Sequence, residues 1–240
     1  DEILVWDTGS TDNSLNIVNK ISVKKIILKN INVEDFYEDK IRQQMLTETN
    51  SDWFIILDAD EIWWDNSIKL LTDTVRNEGD KLESIVVPTI NMIGDMFHHQ
   101  DEKAGRYNLA GKTGHYALRA INRKIPGLHG YGEHGVFTWA DENNNKIESR
   151  DLKKIKFLDA PYIHTTHLKR SDNLEGDKAV YKRAKKLKYE IGIEVPKDFY
   201  YPEVFFRKRP KFIKSPWETP SLLYKAIATI QTPLKKFRRR

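Results

Sequence analysis

Five consecutive apolar residues, Trp53-Phe54-Ile55-Ile56-Leu57, run directly into the acidic turn Asp58-Ala59-Asp60-Glu61. An uninterrupted apolar run of this kind predicts a strand covered on both faces, which belongs in a layered sheet rather than a one-sided antiparallel one. A second run, Ile3-Leu4-Val5-Trp6, ends in the same way at Asp7-Thr8-Gly9-Ser10. Asp12 then reads as the N-cap of a helix whose apolar positions are Leu15, Ile17, Val18 and Ile21. Ile26-Ile27-Leu28 and Ile85-Val86-Val87 read as further strands, and residues 35–49 and 66–78 as helices. Strand alternating with helix predicts an α/β fold: an open, mostly parallel, Rossmann-like sheet flanked by helices.

After Asn91 the periodicity weakens. Residues 91–115 read as a long loop or lid, and Tyr116–Arg119 and Val136–Trp139 as short edge strands. Residues 155–163 read as a last strand leading into His164-Thr165-Thr166-His167, and residues 172–190 as a basic helix. Charge divides the chain: residues 1–150 carry 17 Lys and Arg against 25 Asp and Glu, whereas residues 151–240 carry 23 against 10. The expected organisation is a catalytic domain over 1–170 and a basic, helical, Pro-interrupted extension over 171–240. Within the extension, Trp217, Leu222, Leu223, Tyr224, Ile227 and Ile230 beside Lys225, Lys235 and Lys236 suit an anionic membrane surface, with a solvated tail as the alternative.

The absence of cysteine excludes disulfides, thiolate zinc sites and cysteine nucleophiles, and fits a reducing, cytoplasmic setting. No apolar run approaches the ~20 residues of a spanning helix, so any membrane contact is expected to be peripheral. The chain opens on Asp1-Glu2-Ile3 and reads as part of a longer protein.

Ligands of open parallel sheets bind beyond the carboxyl ends of the strands, where Asp7, Asp58 and Asp60 are expected. Acids gathered on one rim repel each other unless a cation sits among them, and oxygen donors suit Mg²⁺ or Mn²⁺. Gly9 and Ser10 permit a tight turn whose amides suit ribose or phosphate oxygens. Ordinary strand-end turns capped by aspartate remain the simpler alternative.

The segment Asp1-Glu2-Ile3-Leu4-Val5-Trp6-Asp7-Thr8-Gly9-Ser10-Thr11-Asp12-Asn13-Ser14 resembles the second strand and turn of family 2 glycosyltransferases. Ser51-Asp52-Trp53-Phe54-Ile55-Ile56-Leu57-Asp58-Ala59-Asp60-Glu61 resembles their later strand and metal motif, at a matching spacing, and Arg42 stands where that family often carries an arginine. The likeness is strong over residues 1–90 and thin beyond. It implies a GT-A fold, a first strand upstream of Asp1, and inverting transfer from a nucleotide-diphosphate sugar to a glycan, lipid-linked or protein acceptor. By the same resemblance, Asp7 lies near base and ribose, Asp58 beside ribose and metal, and Asp60 holds the metal on the diphosphate. Gly9, Ser10, Asp12 and Arg42 complete the expected donor side.

Glu133, in Gly130-Tyr131-Gly132-Glu133-His134-Gly135, is the candidate general base. Related enzymes often carry adjacent His-Glu, and here the order is Glu-His; a merely flexible loop is the alternative. Several GT-A enzymes bring a late histidine to the metal, which points to His164 or His167, and Lys169 and Arg170 would meet the departing diphosphate. Arg119 and Arg123 are expected either at a phosphate or along a solvated strand edge. Trp63 and Trp64 suit sugar stacking or core packing, and His98 and His99, near Asp95 and Asp101, a metal or, more simply, a solvated loop. The reading is a hexosyltransferase in cell-surface polysaccharide or glycolipid synthesis. Its rivals are a sugar nucleotidyltransferase and a non-catalytic binding module using the basic tail, although no nucleic-acid motif is present.

Overall fold

A computed structural model describes residues 2–10, 13–21, 24–31, 38–132, 137–168, 188–209 and 215–239. In chain order its strands and helices begin β1 (Ile3–Asp7), α1 (Ser14–Lys20), β2 (Ile26–Asn30), α2 (Glu38–Glu48), β3 (Trp53–Ile55), β4 (Glu61–Trp63) and α3 (Asp65–Glu78). There follow β5 (Ser84–Ile93), β6 (Asp95–His99), β7 (Tyr107–Leu109), β8 (Lys112–Gly114), β9 (Tyr116–Asn122), β10 (His129–Tyr131) and β11 (Thr138–Ala140). The last are β12 (Ile155–Phe157), β13 (Tyr162–His164), β14 (Ile193–Glu194) and α4 (Leu222–Arg238). The chain forms two compact units, residues 1–54 with 123–147 and residues 55–122 with 148–240. The sequence boundary at 170/171 falls within residues 169–187, which lie outside the described residues.

In the first unit β1 and β2 pair in parallel, Ile3 opposite Ile26 through Asp7 opposite Asn30. β10 and β11 form an antiparallel hairpin against which α2 packs. The Gly130 amide donates to Gln43 Oε1 on α2 at 2.8 Å, and a Cβ at Gly130 would stand 2.9 Å from the Phe137 ring. Only glycine lets strand and ring approach this closely. Phe137 and Phe54 both meet Trp139 edge-on.

In the second unit β5 is central. Ser84 through Val87, Met92 and Ile93 are buried, as the apolar character of this run demands. β12 and β13 run parallel to β5, whereas β9 and β6 run antiparallel to it. The sheet is therefore mixed rather than mostly parallel. The reason is local: after α3 the strands follow one another without a long crossover helix, and short connections favour antiparallel neighbours. Residues 91–115 are not a loop. They hold the end of β5, then β6, then a β7–β8 hairpin turned at Ala110 and Gly111, whose φ angles are +50° and +73°.

α3 begins where expected and buries Ser67, Leu71 and Thr74, one helical face. Its first amide, that of Asp65, is capped from far along the chain by Glu203 Oε2 at 2.9 Å. This backbone hydrogen bond holds the Glu203 carboxyl below its ordinary value. Part of the basic, Pro-interrupted extension thus takes part in the unit's packing.

Candidate active site

Cross-strand register assembles the site. β13 lies between β5 and β4, with His164 opposite Asn91 on one side and Glu61 on the other, and Tyr162 opposite Thr89 and Trp63. Side chains alternate along a strand, so Tyr162, His164, Glu61, Trp63 and Asn91 share one face. Ile163, Ile62 and Ile90 share the other, where they join Met92 and Met96 under Trp64, Phe199, Tyr201, Phe205 and Trp217. Here one face of β4, β13 and the end of β5 carries polar and aromatic side chains, and the opposite face anchors them in the core.

On the polar face, Arg119 of β9 gathers the acids. Its guanidinium donates to the Glu61 carboxylate, to Tyr162 Oη at 2.9 and 3.1 Å, and to Asp58 Oδ2 at 3.4 Å. The Glu61 side chain has no exposed surface and that of Arg119 only 12%. Burial pushes the Glu61 carboxyl above its ordinary value; Arg119 opposes this and the Asp58 charge adds to it. Burial likewise raises the Tyr162 phenol, which stays protonated as an acceptor for Arg119. The turn itself is pinned by backbone: Glu61 N–H donates to the Asp58 carbonyl at 3.0 Å, and the Thr165 amide and hydroxyl donate to the Asp60 carbonyl at 2.8 and 3.0 Å.

The Asp60 side chain, 11% exposed, faces His164: Oδ2 and Nε2 are 3.5 Å apart. Behind His164 runs a chain of hydrogen bonds. His164 Nδ1 meets Asn91 Oδ1 at 3.1 Å, Asn91 Nδ2 meets His115 Nδ1 at 2.9 Å, and His115 Nε2 meets the Asp101 carbonyl at 3.0 Å. The last contact fixes all the others. A carbonyl only accepts, so His115 Nε2 carries the proton and Nδ1 accepts from the Asn91 amide. Asn91 then turns its oxygen to His164, whose Nδ1 must donate. Burial lowers the His115 pKa, which favours the neutral ring this chain requires. Of the two candidate histidines, His164 faces Asp60 at 3.5 Å, and His167 is buried, 8% exposed.

Asp7, Gly9, Ser10 and Arg42 belong to the first unit; Asp58, Asp60, His164 and His167 belong to the second. Asp7 Oδ2 accepts from the amides of Gly9 and Ser10 at 3.1 and 2.9 Å. Burial raises its pKa, but the hydrogen bonds from Ser10 and Gly9 prevail and hold the carboxyl below the usual range. Gly9 takes φ +107° with open space where a Cβ would stand. Arg42 lies over the Phe137 ring at 5.4 Å. Asp12, Glu133, Lys169 and Arg170 lie outside the described residues.

Of the two uses expected of the tryptophans, packing is the one seen: Trp63 stacks on Tyr162 at 4.7 Å, and Trp64 donates its indole N–H to the Tyr200 carbonyl at 2.8 Å. Other expectations are corrected. Arg119 meets carboxylates and a phenol in the interior rather than running along a solvated edge. Arg123 donates to the Ser51 carbonyl at 2.9 Å, and Asn122 to those of Gly79 and Leu82 at 3.2 and 3.0 Å. His98 and His99 stand on β6, where His98 Nδ1 meets the buried Asp95 carboxylate at 2.7 Å. Sequence reasoning passed over Glu61 as a site residue and over Tyr162, Asn91 and His115 altogether. Among the described residues no group of three or more His, Asp or Glu is arranged to hold a metal ion.

A family model described as Glycosyl transferase family 2 matches residues 1–138, more than half of the chain. The chain belongs to glycosyl transferase family 2. No curated protein matches it. Membership gives this glycosyltransferase a GT-A α/β fold, a nucleotide-sugar donor and a glycan-type acceptor, and it decides against the sugar nucleotidyltransferase.

Proposed function

We propose that this glycosyltransferase inverts the anomeric centre, depends on Mn²⁺ or Mg²⁺, and passes a hexose from a nucleoside diphosphate to an acceptor hydroxyl during cell-surface polysaccharide or glycolipid synthesis. One observation carries the metal dependence: Asp60 Oδ2 faces His164 Nε2 at 3.5 Å. Two donors bound to one ion at about 2.0–2.2 Å and near right or tetrahedral angles stand roughly 3.0–3.5 Å apart, so the pair fits a shared cation. Two protein ligands suffice for an ion whose other positions go to substrate phosphate and water. A carboxylate beside an imidazole favours Mn²⁺. The ion, when bound, supplies Lewis-acid stabilisation of the departing diphosphate.

The chain's own residues do the rest. Asn91 presents His164 with Nδ1 protonated and Nε2 toward Asp60. Arg119 holds Asp58 and Glu61 in place beside that pair, and Asp58 is assigned to the ribose. Asp7 orders its turn through Oδ2 and is assigned to the nucleoside. Glu133, in the connection between β10 and β11, takes the proton from the attacking hydroxyl. Glu133→Gln should therefore lower turnover by about 10²-fold or more while leaving donor binding intact; wild-type turnover removes Glu133 from this role.

A thermal-shift screen of sugar nucleotides tests the reading. Stabilisation by one nucleotide sugar only when Mn²⁺ or Mg²⁺ is present is the expected result. Stabilisation unaffected by chelator overturns the metal dependence. Asn91→Leu should weaken Mn²⁺ binding by about 10- to 100-fold, as loss of a ligand-orienting partner does. It should also erase the protonated-Nδ1 signature of His164 in ¹⁵N imidazole shifts. Unchanged shifts would show that Asn91 does not set the tautomer.

A further inference from the structure

α4 is amphipathic the wrong way round for a helix packed on a core. At about 100° per residue, Leu222, Pro233, Ala226, Phe237, Ile230, Leu223, Leu234 and Ile227 form one continuous apolar arc about 140° wide. Yet Leu222, Leu223, Ile230, Leu234 and Phe237 are 62–85% exposed. The face turned to the protein is the polar one. Ala228 and Thr232 are the buried positions, and Thr232 Oγ1 accepts from the Ile191 amide at 2.8 Å. Tyr224 Oη donates to the Lys188 carbonyl at 2.7 Å, and Lys235 Nζ to that of Tyr189 at 2.8 Å. Arg239 forms a two-pronged ion pair with Glu190, whose side chain is 1% exposed. The Tyr224 ring also lies against Gly94, where a Cβ would come within 3.1 Å of it. The helix is thus fastened through its polar side, and its apolar arc is held outward.

Monomers seldom expose a contiguous apolar patch of this kind without a partner. Charge selects the partner. Leu222–Arg238 contains no acidic residue, and Lys225, Lys236 and Arg238 are exposed along the borders of the arc. A second copy docked on the same face would bring these cations against one another, whereas an anionic bilayer supplies the opposite charge together with an apolar interior. Among the described residues no helix is long and apolar enough to cross a membrane. We propose that α4 lies in the interface of an anionic lipid bilayer, its Leu223–Ile230–Leu234–Phe237 stripe inserted and Lys225, Lys236 and Arg238 at the headgroup phosphates. The sequence-based anchor is narrowed accordingly: Trp217 packs against Phe97, Tyr201 and Phe205, and Tyr224 and Lys235 face the protein.

Flotation of the full chain with phosphatidylcholine vesicles, with and without phosphatidylglycerol, tests this independently of sugar transfer. The protein should float with the mixed vesicles and be released by salt. Ile230→Glu combined with Leu234→Glu should weaken vesicle binding at least about tenfold, and Lys225→Glu combined with Lys236→Glu should do the same while leaving the melting temperature unchanged. Binding equal to wild type in both double variants overturns the proposal, as does failure to float with either vesicle. A sedimentation dimer that Ile230→Glu dissociates, with no lipid binding, would instead assign the arc to a second copy of this chain.

Discussion

Asp60→Ala is expected to reduce sugar transfer by about 10³-fold or more, the scale on which losing a charge-stabilising partner of the leaving group acts. The argument rests on the separation of tasks at this residue. Its carbonyl, not its carboxylate, accepts from the Thr165 amide and hydroxyl, so the turn from Asp58 to Glu61 keeps its backbone ties when the side chain is cut back. What disappears is the oxygen donor facing His164 Nε2. Mn²⁺ affinity and donor stabilisation should fall with activity while the melting temperature of the metal-free protein holds. Asp60→Asn, which keeps the shape and loses the charge, should be nearly as inactive. Undiminished transfer in Asp60→Ala would end the assignment of Asp60 to the metal. A fall in activity with unchanged Mn²⁺ affinity would move Asp60 from the ion to the substrate.

The two acidic turns were readable because each ends an apolar run, and length and continuity alone mark such runs as strands. β2 follows from the same reasoning. The site's inner partners were hidden for a reason visible in three tripeptides. Glu61-Ile62-Trp63, Thr89-Ile90-Asn91 and Tyr162-Ile163-His164 each place one isoleucine between two polar or aromatic residues. That is the period-2 pattern of a strand with one buried face, but three residues are too few to stand out. Pairing supplies what the pattern lacks. Only the register that puts His164 opposite Asn91 and Glu61 brings positions more than a hundred residues apart in sequence onto one face. Residues 91–115 read as a loop or lid because their strands are short, polar and joined by tight turns. The aromatic residues from 199 to 217 looked like part of a basic tail because their partners, Met92, Met96 and Ile163, lie on distant strands.

Arg119→Met is expected to destabilise the protein by about 3–5 kcal/mol, the usual consequence of removing one partner from a buried ion pair. At this chain length that is a fall in melting temperature of ~10 °C. Removing the guanidinium leaves the Glu61 carboxylate, with no exposed surface, beside Asp58 and without its cation. Methionine fills much of the same volume, so the loss reads charge rather than a cavity. The pH dependence distinguishes the two causes. Burial already holds the folded-state pKa of Glu61 above the unfolded value, and taking away Arg119 removes the charge opposing that shift. A carboxyl whose folded pKa is raised binds its proton more tightly in the native state. Its protonation therefore favours the fold at low pH, and that contribution is lost as pH rises through the folded pKa. The deficit of Arg119→Met should accordingly shrink as pH falls from neutral toward the ordinary glutamate range, and adding Glu61→Gln should recover much of it at neutral pH. A deficit independent of pH, unrelieved by Glu61→Gln, would mean that Arg119 acts through its packing on Tyr162 and not through its charge.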